Sequence, residues 1–188
     1  MNRTVIGETV WRYQGRELPI NVTKRYGCYQ DILKALVGQM DAMLNRHSRV
    51  LVFRLDLHLH DYTGDNHQIS MMLRRCKQWL LERYQMSVVG HLWVRELESA
   101  KQQHYHLTLM LNGHQIRHPA KVIEWIEHYW TIRDEPKPYT PKSCYTMIHR
   151  GDKTQFNTAF YRSSYLAKTR GKGYKDATAN NYSASRLS

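Results

Sequence analysis

Two histidines one residue apart, His104 and His106, are the side chains of this sequence best placed to hold a divalent metal. They lie in the run Gln103 to Leu111, where apolar and polar positions alternate as in a β-strand. Side chains on a strand point to opposite faces in turn. Tyr105, Leu107, Leu109 and Leu111 therefore share one face and the two imidazoles share the other. The pair is not decisive by itself: at this histidine content a His-x-His pair arises by chance roughly 0.6 times. His58-Leu59-His60 is a second one. A metal needs a third ligand from the chain. Glu96 and Glu98, on a preceding strand, have the same parity as His104 and His106. A register pairing even positions with even positions puts them on the histidine face. Two imidazoles and a carboxylate suit Mn²⁺ or Mg²⁺, and also Zn²⁺, with substrate oxygens completing the coordination. Asp56 and His58 are the alternative ligands.

A nucleophile could come from a later helix. In Tyr161-Arg162-Ser163-Ser164-Tyr165-Leu166-Ala167-Lys168, the residues Tyr161, Tyr165 and Lys168 stand at i, i+4 and i+7 and share a helical face. Phe156 and Phe160 form an adjacent stripe that can pack on a sheet. A phenol with a pKa of about 10 is mostly neutral at pH 7. A nearby cation favours the phenolate. A metal would polarise a phosphoryl oxygen and stabilise the charge that develops in attack. With 13 tyrosines in the chain, a helical tyrosine is commonly plain packing. The lysine that follows at i+3 is what singles out Tyr165.

These residues need a scaffold, and the rest of the sequence supplies one. Residues 1–26 read as an N-terminal strap or short hairpin. A helix from about Tyr26 to Arg46 carries Ile32, Leu36, Met40 and Met43 at helical spacing. Arg49 to His60 is a strand whose odd positions are apolar. Its even positions, Arg54, Asp56, His58 and His60, are unusually polar. A helix from Gln68 to Met86, a strand from Ser87 to Glu98, a loop at Ser99 to Gln102 and the histidine strand follow. Pro119 opens a helix that runs to about Arg133. Cys144 to His149 is a strand, and Gln155 to about Thr169 a last helix. This is the α+β class. The order strand, helix, strand, strand, helix, strand predicts a ferredoxin-like (βαββαβ) antiparallel sheet. Its first strand lies beside the third, and the third beside the second. Helices cover one face and leave the other open for ligands. One helix is added before this unit, and the tyrosine-bearing helix after it. Residues 1–170 form one domain and residues 171–188 a flexible basic tail.

The formal charge is +12 and the pI about 9.7, the electrostatic signature of a nucleic-acid binder. Arg54, Arg162 and Lys172 are the candidate phosphate contacts. No apolar stretch approaches a spanning segment, so no membrane role is expected. The N-terminus does not resemble a signal peptide. Three well-separated cysteines, Cys28, Cys76 and Cys144, suit free thiols in a reducing cytoplasm. No Gly-x-x-x-x-Gly-Lys run is present, so no nucleotide cofactor is expected and unwinding would fall to a host helicase.

The combination of His104-Tyr105-His106 with Tyr165-Leu166-Ala167-Lys168 resembles the HUH endonuclease superfamily of rolling-circle replication initiators and relaxases. The Tyr161/Tyr165 spacing is similar to two-tyrosine phage initiators. Arg54-Leu55-Asp56-Leu57-His58 resembles the prophage YagK/YfjJ and inovirus initiator-like family, over nearly the whole chain. The resemblance implies metal-dependent, site-specific nicking of single-stranded DNA during replication or mobilisation of a phage-like element, and the charge leads to single-stranded or hairpin DNA as the expected partner. A tyrosine would take the 5′ phosphate covalently and leave a free 3′ hydroxyl. It also implies that Glu96 is the acidic ligand preceding the histidine pair. Tyr165 would be the nucleophile, Tyr161 its auxiliary and Lys168 the supporting cation. One departure is that Ser164 stands where two-tyrosine initiators can carry a lysine after the first tyrosine. The alternative function is a non-catalytic single-stranded DNA or RNA-binding module.

Overall fold

Leu51, Phe53, Leu55 and Leu57 alternate with Val50, Val52, Arg54, Asp56 and His58, and this alternation builds an interior strand of the main sheet. The computed structural model describes residues 4–97, 103–172 and 179–187. Two short strands, β1 (Val5–Ile6) and β2 (Val10–Tyr13), are followed by β3 (Arg16–Pro19) and β4 (Cys28–Tyr29). Next come α1 (Gln30–Arg46), β5 (Arg49–His58), α2 (His67–Tyr84), β6 (Gly90–Leu97) and β7 (Gln103–Asn112). The chain continues through α3 (Ala120–Thr131), β8 (Tyr145–His149), α4 (Lys153–Ser163), a 3₁₀ turn (Ser164–Ala167) and β9 (Tyr182–Ala184). Glu98 and the loop expected at 99–102 lie outside the described residues.

The main sheet is antiparallel throughout, in the order β8-β5-β7-β6-β9. The fold is α+β. Among β5 to β8 the neighbours are those expected, with β5 beside β7 and β7 beside β6. Odd positions of β5 and β7 pack under α2 and α3, through Ile69, Met72, Leu80, Val122, Ile126 and Trp130 among others.

The expectation of helices on one sheet face only is corrected. The even-numbered face is covered in part by α1 and α4. Its residues change character along the strands. At one end are Val50, Val52, Leu92, Val94 and Met110, which pack against Ile32, Leu36, Met40, Met43, Phe156 and Phe160. At the other end are Asp56, His58, Glu96, His104 and His106. The apolar half would expose a large oily patch if left bare, so the extra helices close over it. Gly90 makes the approach of α1 possible, since a Cβ there would lie 2.8 Å from Met43 Cγ. The β2–β3 hairpin, turned by Gln14 and Gly15 at positive φ, lays Trp11 onto Phe160 with ring centroids 6.3 Å apart.

The last helix is shorter than expected. It ends at Ser163, and the backbone then tightens into the 3₁₀ turn. Ser164 causes this locally. Its buried hydroxyl donates to the Tyr161 carbonyl at 2.7 Å and accepts from the Asn21 N–H at 2.8 Å. Lys168 then leaves in an extended conformation to pair with Cys28. The tail is also corrected in part. Tyr182–Ala184 adds an edge strand to β6, and the Ser185 carbonyl accepts from the Gln39 amide at 2.7 Å. Residues 173–178 and 188 lie outside the described residues.

Phe160 is fully buried between α4, the hairpin and the sheet. Phe160→Ala is expected to lower the unfolding free energy by about 3–5 kcal/mol, from lost transfer energy and the cavity left behind. Urea unfolding measures it, and a change of under about 1 kcal/mol would mean that α4 does not dock on this face.

Candidate metal centre

The β6–β7 register pairs Glu96 with His104, and the β5–β7 register pairs Asp56 with His106 and His58 with His104. Five polar side chains therefore share two adjacent rows on one sheet face. Glu96, His104 and His106 come closest together. Their ligand atoms all lie within 4.8 Å of one another, and all three residues are buried. His104 Nε2 stands 3.2 Å from His106 Nε2, which stands 3.0 Å from Glu96 Oε2. Atoms bound to one ion at about 2.0–2.2 Å are separated by roughly 3.0–3.5 Å. The spacing of the donors fits a single divalent ion.

The protonation pattern points the same way. His106 Nδ1 lies 2.7 Å from Asp56 Oδ1. Burial works to raise the Asp56 pKa. The His106 hydrogen bond and charge and the Arg54 guanidinium overcome it and hold the carboxyl at about 2. Ionised Asp56 can only accept, so a proton is assigned to Nδ1 of His106. Glu96 is also held at about 2, with burial opposing and the contacts to His106 and Lys172 prevailing. His104 is pushed down to about 4, first by burial and then by His106, against the pull of Glu96. At neutral pH the Glu96 carboxylate and the neutral His104 imidazole therefore both face His106 Nε2.

Asp56 and His58, the alternative ligands, stand beside this group. Asp56 orients His106, a role common to carboxylates behind metal-binding histidines. His58 stacks on His104 with centroids 5.0 Å apart. The structure brings Tyr165 to the centre. Its half-buried ring meets His106 edge-on, at 5.1 Å and 90°. The Arg54 guanidinium lies 4.1 Å and the Lys168 ammonium 4.9 Å from the centroid of that ring. Tyr161 is placed differently. It stays on α4 with its side chain exposed, and no described contact joins it to Glu96, His104 or His106. Passing from α-helix to 3₁₀ geometry turns Tyr165 roughly 80° from Tyr161, against about 40° for an unbroken helix.

Three expectations change here. Tyr165 is not tipped toward its phenolate: burial and then the Glu96 charge raise its pKa, with Arg54 pulling it down. Lys172 is not a free phosphate contact. It is 4% exposed, and its ammonium lies 2.8 Å from Glu96 Oε2. Arg54 is committed too, with Nη2 3.1 Å and Nε 3.3 Å from the Asp56 carboxylate oxygens. Arg162 remains exposed but binds the Tyr145 carbonyl and the Thr146 hydroxyl. The Arg54–Asp56 pair was legible as an i, i+2 spacing on one strand face. The Lys172–Glu96 pair spans 76 residues and left no local signal.

The model of the YagK/YfjJ C-terminal domain matches residues 16–131. The chain belongs to this family. The matched span holds Asp56, Glu96, His104 and His106 and stops before Tyr161, Tyr165 and Lys168. No curated protein and no solved structure matches the chain. No helix among the described residues is long and apolar enough to cross a membrane.

Asp56→Asn keeps the shape but removes the charge that fixes the His106 tautomer. Affinity for Mn²⁺ or Zn²⁺ is expected to fall about 10–100-fold, as read by calorimetry, and unchanged affinity would show that Asp56 does not orient His106. A pH dependence also follows for the metal-free protein. His104 is depressed to about 4, and so is His91, first by burial and then by Lys77. Unfolded histidines take up protons near pH 6.5. Stability should be full above that pH and fall as pH drops toward 4, because the unfolded state binds more protons there. Asp56 and Glu96 stay ionised across that window. Urea midpoints from pH 7 to 4 should show the decline, and His104→Gln should make it shallower. A flat wild-type profile would contradict the assignment.

Proposed function

We propose that this protein is a metal-dependent endonuclease that nicks single-stranded or hairpin DNA through Tyr165. The reading rests chiefly on one observation: the Tyr165 ring sits directly against His106, a member of the three-residue ligand group. The formal charge of +12 supports an anionic polymer as substrate. Replication or mobilisation of a phage-like element, in the cytoplasm and with a host helicase, is the setting that fits membership of the YagK/YfjJ family.

Glu96, His104 and His106 would hold the ion, with Mn²⁺ or Mg²⁺ the first candidates and Zn²⁺ also suited to the donors. When bound, the ion supplies Lewis-acid polarisation of a phosphoryl oxygen. Asp56 keeps the Nδ1 proton on His106 and so keeps Nε2 available as a ligand. Tyr165 loses its phenolic proton and its oxygen attacks phosphorus. The bond to the 3′ oxygen breaks, that oxygen takes up a proton, and the 5′ phosphate remains on the tyrosine. Arg54, 4.1 Å over the ring, offsets the Glu96 charge that opposes this ionisation. Lys168, on the same ring, is placed to meet a phosphate oxygen. Tyr161 is outside this group and is assigned no step.

A second reading, binding of single-stranded nucleic acid without cleavage, is favoured by one fact: the family match ends before the tyrosine segment. The same experiment separates the two. With Mn²⁺ and single-stranded phage DNA, wild type and Tyr161→Phe are expected to form a covalent protein–DNA adduct. Tyr165→Phe should form none while still binding DNA, and chelator should abolish the adduct in all. Mass spectrometry of the DNA-linked peptide identifies the residue. Attachment at Tyr161 would reverse the assignment, and salt-sensitive binding with no cleavage would establish the second reading.

A further inference from the structure

The segment that follows the 3₁₀ turn is pressed onto the ligand Glu96. Gly171 has a φ of +64°, and a Cβ there would lie 2.5 Å from Glu96 Cγ. Its carbonyl accepts from the Leu97 N–H at 3.0 Å, which fixes the backbone against β6. This aims Lys172 inward. Its ammonium sits 2.8 Å from Glu96 Oε2, the same oxygen that faces His106 Nε2 at 3.0 Å. The remaining contact is weaker, 3.4 Å to the Arg170 carbonyl.

The charges are closely balanced. Two buried carboxylates, Asp56 and Glu96, are met by Arg54 and Lys172. A divalent ion placed among Glu96, His104 and His106 would add two positive charges to a buried group whose two carboxylates already face the Arg54 and Lys172 cations. It would also share one carboxylate oxygen with an ammonium. In a site of low dielectric, that repulsion is large compared with thermal energy. An arriving phosphodiester removes the difficulty, because it brings a negative charge and acceptor oxygens for the displaced ammonium.

We infer that Lys172 is the resident counter-cation of Glu96, that a divalent metal must displace it, and that metal is therefore taken up together with a phosphodiester. This rests on the metal reading of the centre proposed above. Because the coupling is a free energy shared by two ligands, oligonucleotide should tighten metal binding by the factor by which metal tightens oligonucleotide binding.

Calorimetric titration of Mn²⁺ into the full chain, with and without a short single-stranded oligonucleotide, tests the inference. Wild type should bind Mn²⁺ about tenfold more tightly when oligonucleotide is present. Lys172→Gln should bind Mn²⁺ alone about tenfold more tightly than wild type and lose most of the oligonucleotide effect, whereas Lys172→Arg should behave as wild type. A lysine with a merely structural role would leave Mn²⁺ affinity equal or weaker in Lys172→Gln, and that result overturns the inference while leaving the metal site standing. Absence of Mn²⁺ binding in both proteins overturns the metal reading and the inference with it. If Lys172→Gln does not unfold cooperatively, Lys172→Met gives the same readout. It keeps the length and apolar stem of the buried side chain but removes the ammonium beside Glu96, and it should tighten Mn²⁺ binding likewise. Unchanged affinity in that variant counts against displacement.

Discussion

The hydrogen bond between Asp56 and His106 governs the chemistry of the whole centre. It runs across two neighbouring strands, so it depends on the β5–β7 register being right to the residue. A slip of one position would send Asp56 to the opposite face, into the core beneath α2 and α3. With the register correct, Asp56 places a proton on Nδ1 and leaves Nε2 of His106 facing an imidazole and a carboxylate. Arg54 then has to be where it is, since a buried carboxylate needs its second oxygen satisfied. The arginine in turn provides the cation over Tyr165. One cross-strand bond thus orders a series of contacts that runs from candidate metal ligand to candidate nucleophile.

That arrangement is affordable only because the sheet face is divided. Val50, Val52, Leu92, Val94 and Met110 anchor α1 and α4 at one end, and that packing bears the stability. At the other end buried charges gather, and such groups are rarely stabilising on balance. A strand face that was polar throughout would have nothing to hold α4. One that was apolar throughout would have no site. The change of character within each of three strands lets a single face do both.

The strands and helices were legible because their side-chain periods are strong: β5 alternates cleanly, and α1 and α3 carry apolar stripes. The ligand group was legible because parity fixes the face of a strand residue, which places Glu96 with His104 and His106 once the hairpin register is even-to-even. The coverage of that face was not legible. Reading Arg54, Asp56 and His58 as typical of the face hid the contribution of Val50 and Val52. The placement of Lys172 beside Glu96 was equally out of reach, because a basic residue between two glycines, Gly171 and Gly173, reads as tail. Only the fold brings it to Glu96. The edge strand at Tyr182–Ala184 escaped for a similar reason. Of its three residues only Tyr182 is a strong strand former, and their partners, Leu92, Trp93 and Val94, are distant in sequence.

Ser164 ties the tyrosines to this picture. In an unbroken helix Tyr161 and Tyr165 would lie close to one face, with only the lysine at i+3 to distinguish Tyr165. The Ser164 hydroxyl takes the Tyr161 carbonyl and the Asn21 N–H, and the helix tightens at that point. The turn carries Tyr165 toward the sheet and leaves Tyr161 facing outward. A lysine at position 164 could not do this. Its ammonium has no acceptor for the Asn21 N–H, and it would have to be buried where the serine is fully enclosed. Ser164 is therefore the residue whose bonds accompany the placement of one tyrosine at the centre. Under the chemistry proposed here, the consequence is a single nucleophile, so any second strand transfer would need a fresh phenol at the same place: Tyr165 itself after release, or Tyr165 of another copy of the chain.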